Sequence, residues 1–91
     1  MNVGEFKRAV QDIVVSLARM YPVLYDVQVN AIGQVSAFIS IESTRLGKRS
    51  IDRILREFER RELDVYDYSI TTDEGYVDVT FYCQPRRGNS P

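Results

Sequence analysis

The sequence has no histidine, no tryptophan, only one cysteine, and no long hydrophobic run. Without histidine there is neither a Cys/His zinc site nor a Ser-His-Asp or Cys-His catalytic arrangement. The lone Cys83 cannot form a disulfide within the chain, and its alternation with Val79 and Phe81 is typical of a small core residue. We therefore expect a non-enzymatic protein with no cofactor and no bound metal.

Long apolar segments are also missing. The longest apolar runs are a few residues, far below the roughly 20 that a membrane-spanning helix needs. The N-terminus lacks the basic and then apolar layout of a signal peptide. The sequence thus predicts a cytoplasmic protein that does not insert into a membrane.

What the chain does contain is typical of one small globular domain. It has 91 residues, of which 44% are hydrophobic and 27% charged, with 12 basic and 13 acidic side chains and a net charge of -1. Such a charge gives no overall attraction to nucleic acids, so any binding of this kind must be local. We predict a single domain over residues 1–84, followed by a flexible basic tail over residues 85–91.

Two segments have the apolar spacing of amphipathic helices. Spacings of three and four predict a helix from Asn2 to about Met20, capped by Asn2 with Glu5 and stopped by Pro22. A second helix is predicted to start with Ser50 as its N-cap and to end near Glu62. Its predicted buried residues are Ile51, Ile54, Leu55 and Phe58.

The segments after each helix alternate between apolar and polar residues, which predicts two β-hairpins. The first turns at Gly33-Gln34, and the second, from Val65 to Gln84, turns at Asp73-Glu74-Gly75. The fold class is therefore predicted to be α+β: an αββαββ two-layer sandwich with two helices on one face of a four-stranded, mainly antiparallel sheet. If the crossover between the hairpins is right-handed, one consistent strand order is third, fourth, second, first.

Strand alternation also predicts which side chains face away from the helices. That outward surface is polar but carries aromatic rings, a composition that is favoured at protein interfaces. A solvated sheet face with scattered aromatics is the alternative interpretation. The residues predicted to form a protein interface are Phe38, Tyr76, Tyr82, Ser40 and Thr80.

The charges are unevenly placed along the chain. Seven cations and three acids lie between Thr44 and Arg61, whereas six acids and no base lie between Glu62 and Gln84. Arginines at helical spacing can bind nucleic-acid phosphates. Alternatively, the pairs Asp52–Arg56, Arg53–Glu57 and Glu57–Arg61 are ordinary i,i+4 ion pairs on a solvated face. The candidate phosphate contacts are Arg45, Lys48, Arg49, Arg53, Arg56, Arg60, Arg86 and Arg87.

The element order over residues 3–72 resembles that of small interaction modules such as the BON domain and the ring-building domains of secretion systems. The glycine that these families carry in the second strand is absent here, where the chain has Ser40 and Ser43. No functional residue can therefore be transferred, and no family is assigned. The leading hypothesis is an interaction module that forms a homodimer, or binds another protein, through the open sheet face or an edge strand. The alternative is a nucleic-acid-binding accessory protein.

Overall fold

A computed structural model describes residues 1–86. The fold is α+β, with two helices and an open four-stranded sheet, which confirms the predicted class. The elements in chain order are α1 (Val3–Ala18), β1 (Val23–Val29), β2 (Val35–Ser43), α2 (Lys48–Arg60), β3 (Leu63–Asp73) and β4 (Tyr76–Pro85).

The sheet has the order β1-β2-β4-β3, and every neighbouring pair is antiparallel. This is the strand order inferred from the sequence. The two central strands are β2 and β4, which pair Ala37 with Cys83 and Ile41 with Val79. The sheet edges are therefore formed by the first strand of each hairpin, β1 and β3.

Side chains from both helices and from one side of the sheet form a single hydrophobic core. The sheet contributes alternate residues of β2 and β4, and Phe81 of β4 lies with its ring centroid 5.3 Å from that of Phe58 in α2. No polar or charged residue is buried in the described part of the chain. The buried core residues are Phe6, Val10, Ile13, Leu17, Ala37, Ile39, Ile41, Ile54, Phe58, Leu63, Val79, Phe81 and Cys83.

The two helices begin differently. At α1 the predicted capping box is present: Asn2 Oδ1 accepts the Glu5 N–H at 2.8 Å, and Glu5 Oε1 accepts the Asn2 N–H at 3.3 Å. The prediction of Ser50 as the N-cap of α2 is wrong, since the N-cap is Gly47 and no side chain caps this end. Gly47 has the extended backbone of an N-cap, and the N–H of Ser50 already donates to its carbonyl.

The hairpin turns are closed by local backbone chemistry. Glu74 and Gly75 both have positive φ, 45° and 86°, which is the pattern of a two-residue type I′ turn. In the first hairpin, Asn30 Oδ1 accepts the N–H groups of Ile32 and Gln34 at 3.1 and 2.9 Å. Both strand pairs are thus held in register by the residues at their turns.

The second hairpin extends beyond the helix that packs on it. The 13 residues of α2 span about 20 Å, whereas the 11 residues of β3 span about 36 Å. Since α2 leads directly into β3 and packs against it, the helix can cover only the first part of the strand. The rest of β3 lies outside its reach.

Candidate functional site

The strand residues that point away from the core form a surface that we call the outer sheet face. Phe38 pairs with Tyr82 across β2 and β4, and Ser40 Oγ lies 2.7 Å from Thr80 Oγ1. These four of the five predicted interface residues are therefore neighbours at the centre of the sheet, and all four are partly exposed. Tyr76 lies apart from them, beside the β3–β4 turn, and is 50% exposed. Whether these residues form an interface stays a prediction.

The outer sheet face is acidic. None of the four strands contains lysine or arginine, and all six of their acidic residues point to this face, as the strand registers place them. Glu42 even lies directly opposite Asp78. A surface of this charge repels phosphate groups and also repels a second copy of itself. The six residues are Asp26, Glu42, Asp64, Asp67, Asp73 and Asp78.

The edge strand β3 contains a bulge that strand alternation did not predict. The pairing with β4 shifts between Val65 and Asp67, leaving Tyr66 as the extra residue. Its ring lies 6.5 Å from that of Tyr82, so Tyr66 and Asp67 both face the outer side. Residue spacing alone puts Tyr66 on the wrong side of the strand, because its even spacing from Tyr68 indicates that both lie on the same side.

Beyond the bulge, β3 exposes apolar side chains on its core-facing side. Tyr68 and Ile70 pair with the buried Phe81 and Val79 of β4. Yet they are 46% and 51% exposed, because α2 does not reach over them. With Tyr66, 54% exposed, they line both sides of an 11-residue edge strand without lysine, arginine or proline. The sequence analysis considered an edge strand as a contact but did not name these residues, although the length and aromatic content of β3 were visible.

The other sheet edge is shorter. β1 has 7 residues, and α1 packs against it. Its exposed apolar residues are Leu24, Tyr25 and Val29, at 69%, 40% and 50%. An edge of this length offers fewer backbone groups to a partner strand than β3 does.

Four arginines lie on the outer surface of α2, and we call them the arginine stripe: Arg49, Arg53, Arg56 and Arg60. At 100° per residue they fall within an arc of about 60°, roughly opposite the buried Ile54 and Phe58. All four are exposed. The predicted helical spacing of these candidate contacts is therefore present in the structure.

The ion pairs predicted for α2 are only partly formed. Glu57 binds Arg61 at 2.8 Å, as predicted, and also binds Arg60 at 3.2 Å. The predictions of Asp52–Arg56 and Arg53–Glu57 pairs are wrong within residues 1–86. Arg53 has no ion pair with Glu57 because the Glu57 carboxylate is turned towards the end of the helix. Arg49, Arg53 and Arg56 consequently have no acidic partner among the described residues.

Arg61 joins the two helices. Its Nε donates to Asp12 Oδ2 of α1 at 2.6 Å, and its Nη1 donates to the carboxylate and the carbonyl of Glu57, both at 2.8 Å. The hydrogen bond from Arg61 lowers the pKa of Glu57, with a smaller contribution from the charge of Arg60. Arg61 thus acts as a structural link, in contrast to the arginine stripe.

The remaining candidate cations are dispersed. Arg45 and Lys48 lie in the loop before α2 and at its first residue, and both are exposed. Arg86 donates from its backbone N–H to the Glu62 carbonyl and from Nη2 to the Glu59 carbonyl, which ties the end of β4 to the end of α2. Pro85 is the last residue of β4. Arg87 and the rest of the predicted tail lie outside the described residues.

The thiol of Cys83, the one cysteine in the sequence, is inaccessible. Cys83 has no exposed surface, and burial raises the pKa of its thiol to about 12, with a smaller effect from the charge of Asp64. A protonated, buried thiol is a core residue and does not attack substrates. Within residues 1–86 there is also no group of three or more Cys, Asp or Glu side chains placed to hold a metal ion.

Neither helix in the described part of the chain has the length and apolar character needed to cross a membrane. The two features that stand out are the exposed edge of β3 and the arginine stripe of α2. No family model matches the chain, and comparison with curated proteins and solved structures finds no match either.

Proposed function

We propose that this protein is a non-enzymatic interaction module that forms a homodimer by antiparallel pairing of the two β3 edge strands. The observation that carries the proposal is the half-exposed Tyr66, Tyr68 and Ile70 on the long edge strand β3. An edge strand of this kind presents unpaired backbone groups beside apolar surface, and a second strand satisfies both. The proposal includes a two-layer sandwich with both helices on one face of the sheet.

The charge of the outer sheet face favours the edge over the face as the contact. Stacking two outer sheet faces would bring six acids of each copy together with no base in the strands to compensate. Buried like charges oppose association by several kcal/mol. Edge pairing leaves these carboxylates in water, on the surface of a continuous eight-stranded sheet.

A register with favourable neighbours exists for this pairing. In a hairpin with a two-residue turn, Asp73 and Tyr76 bond to each other, so Tyr68 and Ile70 direct their backbone groups away from β4. Centring the dimer on Ser69 sets Tyr68 opposite Ile70 of the second copy. It also sets Asp67 opposite Thr71 rather than another acid. The Tyr68 N–H, which donates to Asp67 Oδ1 at 2.9 Å in the single chain, would then bond to the second strand.

The oligomeric state in solution tests this proposal. We expect sedimentation equilibrium to give a dimer at micromolar concentrations and an Ile70→Lys variant to be monomeric. Val29→Lys is the matched control, since Val29 is 50% exposed on the core-facing side of β1 and Ile70 is 51% exposed on the same side of β3. A monomeric parent protein, or an Ile70→Lys variant that dimerises as before, would contradict the proposal. Loss of the dimer only in Val29→Lys would also contradict the proposal, because it would show that the contact lies at β1.

The remaining parts of the proposal concern chemistry and location. The absence of histidine and the burial of Cys83 support a role without catalysis. A cytoplasmic location is part of the same proposal, since the chain has one cysteine and so forms no internal disulfide that would require an oxidising compartment.

A further inference from the structure

The arginine stripe of α2 has no role in the proposed dimer contact. Its four guanidinium groups lie on the side of the helix that faces away from the core, and Arg60 is the only one with an acidic partner among the described residues. The alignment of these exposed arginines along the helix adds nothing to the free energy of unfolding beyond the single ion pair of Arg60 with Glu57. The alignment is therefore a property of the surface that a ligand can use.

We propose that the arginine stripe binds the phosphate backbone of a nucleic acid. The four residues extend over about 16 Å along the helix axis. Measured along the axis of a duplex, that distance spans about five phosphates of one strand, at 3.4 Å of axis each. Guanidinium groups bind phosphate oxygens through two parallel hydrogen bonds, and the chain has ten arginines against two lysines.

The acidic outer sheet face does not cancel this attraction. The arginine stripe lies opposite Ile54 and Phe58, and the ring of Phe58 packs on Phe81 of the sheet. The whole diameter of a helix, about 10 Å, thus separates the arginines from the sheet. The outer-face carboxylates lie on the far side of the sheet and are farther away still, so at physiological salt, where the Debye length is about 8 Å, they weaken the attraction of the arginine stripe for phosphate only in part.

The composition of the outer face of α2 favours a nucleic acid over other anionic ligands. An anionic membrane surface needs an apolar helix face to insert, but the apolar face of α2 is already in the core. An acidic protein partner usually docks on aromatic or aliphatic anchor residues, and the outer face of α2 exposes none. A contact that rests on cationic and polar groups, without apolar anchors, is typical of nucleic-acid backbone recognition.

Dimerisation would enlarge this surface, a step that rests on the proposed function. Because α2 packs against β3, pairing two β3 strands places the two α2 helices in the same layer on either side of the two-fold axis. Two antiparallel arginine stripes would then face the same nucleic acid. The dimer should therefore bind more tightly than a monomeric variant, and its affinity should depend more steeply on salt.

Fluorescence anisotropy with labelled single-stranded RNA and duplex DNA tests the proposal. We expect binding at low salt. The logarithm of the association constant should fall linearly with the logarithm of the salt concentration, with a slope of about -3 to -4 for four phosphate contacts per chain. The double variant Arg53→Glu, Arg56→Glu should weaken affinity at least tenfold and reduce the slope by about two. The two nucleic acids distinguish a single-stranded ligand from a duplex.

The matched control is Lys7→Glu, Arg8→Glu, which changes the net charge equally at exposed positions of α1. Equal weakening by both double variants would overturn the proposal, since only net charge would then matter. So would the absence of binding at low salt, or binding to phosphatidylserine vesicles or polyglutamate in preference to nucleic acid. Sedimentation of the Arg53→Glu, Arg56→Glu variant without nucleic acid should still give a dimer. Nucleic-acid binding by the Ile70→Lys variant tests the arginine stripe even if the dimer does not form.

Discussion

The two halves of the chain have the same plan, a helix followed by a hairpin, but they use their side chains differently. α1 buries four residues in the core, whereas α2 buries two. Residues 1–43 contain seven charged side chains, three basic and four acidic, and residues 44–86 contain seventeen, eight basic and nine acidic. The first half therefore mainly supplies the core, and the second half also forms the surfaces that we propose to be functional.

The difference shows that one supersecondary plan tolerates very different outward residues. The inward positions of both halves remain apolar and meet in one core. The outward positions of α2 and β3 are free to carry charge and aromatic rings, because they have little part in holding the halves together. Substitutions in the two halves should consequently differ in their effect on stability.

The largest expected contrast is between the buried face of α1 and the exposed face of α2. Ile13→Ala removes a fully buried side chain and should lower the free energy of unfolding by about 2 to 5 kcal/mol. Arg53→Ala should change it by less than about 0.5 kcal/mol, because the side chain is exposed and binds no acid within residues 1–86. Urea denaturation measures both. Similar losses for the two variants would show that α2 is stabilised through its outer face.

A smaller effect is expected at Arg61, where the halves are linked. Arg61→Met should lower the free energy of unfolding by roughly 1 to 2 kcal/mol, since it removes charge-assisted hydrogen bonds to Asp12 and Glu57 at a side chain that is 20% exposed.

The stabilising share of Glu57, which is the contribution of its carboxylate to the free energy of unfolding, depends on pH. Because its pKa in the folded state is below its ordinary value, this share is present above about pH 4.5 and is lost as pH falls through the folded-state pKa.

Chemical denaturation between pH 7 and pH 3 follows this loss. The difference in stability between the parent protein and Glu57→Gln should shrink on acidification and vanish once the carboxylate is protonated. A difference that stays constant over this range would show that the Glu57 charge does not stabilise the fold.

The smallest effects are expected at the helix N-termini. Asn2→Ala removes the capping box of α1 and should cost about 1 kcal/mol. Gly47→Asn gives α2 the side-chain cap it lacks and should raise the melting temperature slightly, equivalent to a few tenths of a kcal/mol. A Cβ at Gly47 would have no atom within 4 Å, so the substitution is sterically free. A destabilised Gly47→Asn protein would contradict this description of the helix start.

Local periodicity was sufficient to predict the helices, the hairpins and most of the core. Ile39, Val79 and Ile13 are buried as their spacing indicates. Periodicity was insufficient where contacts between residues far apart in the chain decide the local structure. The bulge at Tyr66 depends on how β3 meets β4, and the choice of Glu57 between Arg53 and Arg61 depends on Asp12 of the other helix. The N-cap of α2 was misplaced because Gly47 provides the extended backbone without a capping side chain.

Residue spacing along the chain was enough to establish the element types, the acidic strands and the arginines at helical spacing. The packing of the elements was needed to show that β3 projects beyond α2 and exposes Ile70, and that Arg49, Arg53 and Arg56 are without acidic partners in residues 1–86. These features depend on the relative lengths of packed elements and on contacts between residues far apart in the chain, neither of which is encoded in a local pattern.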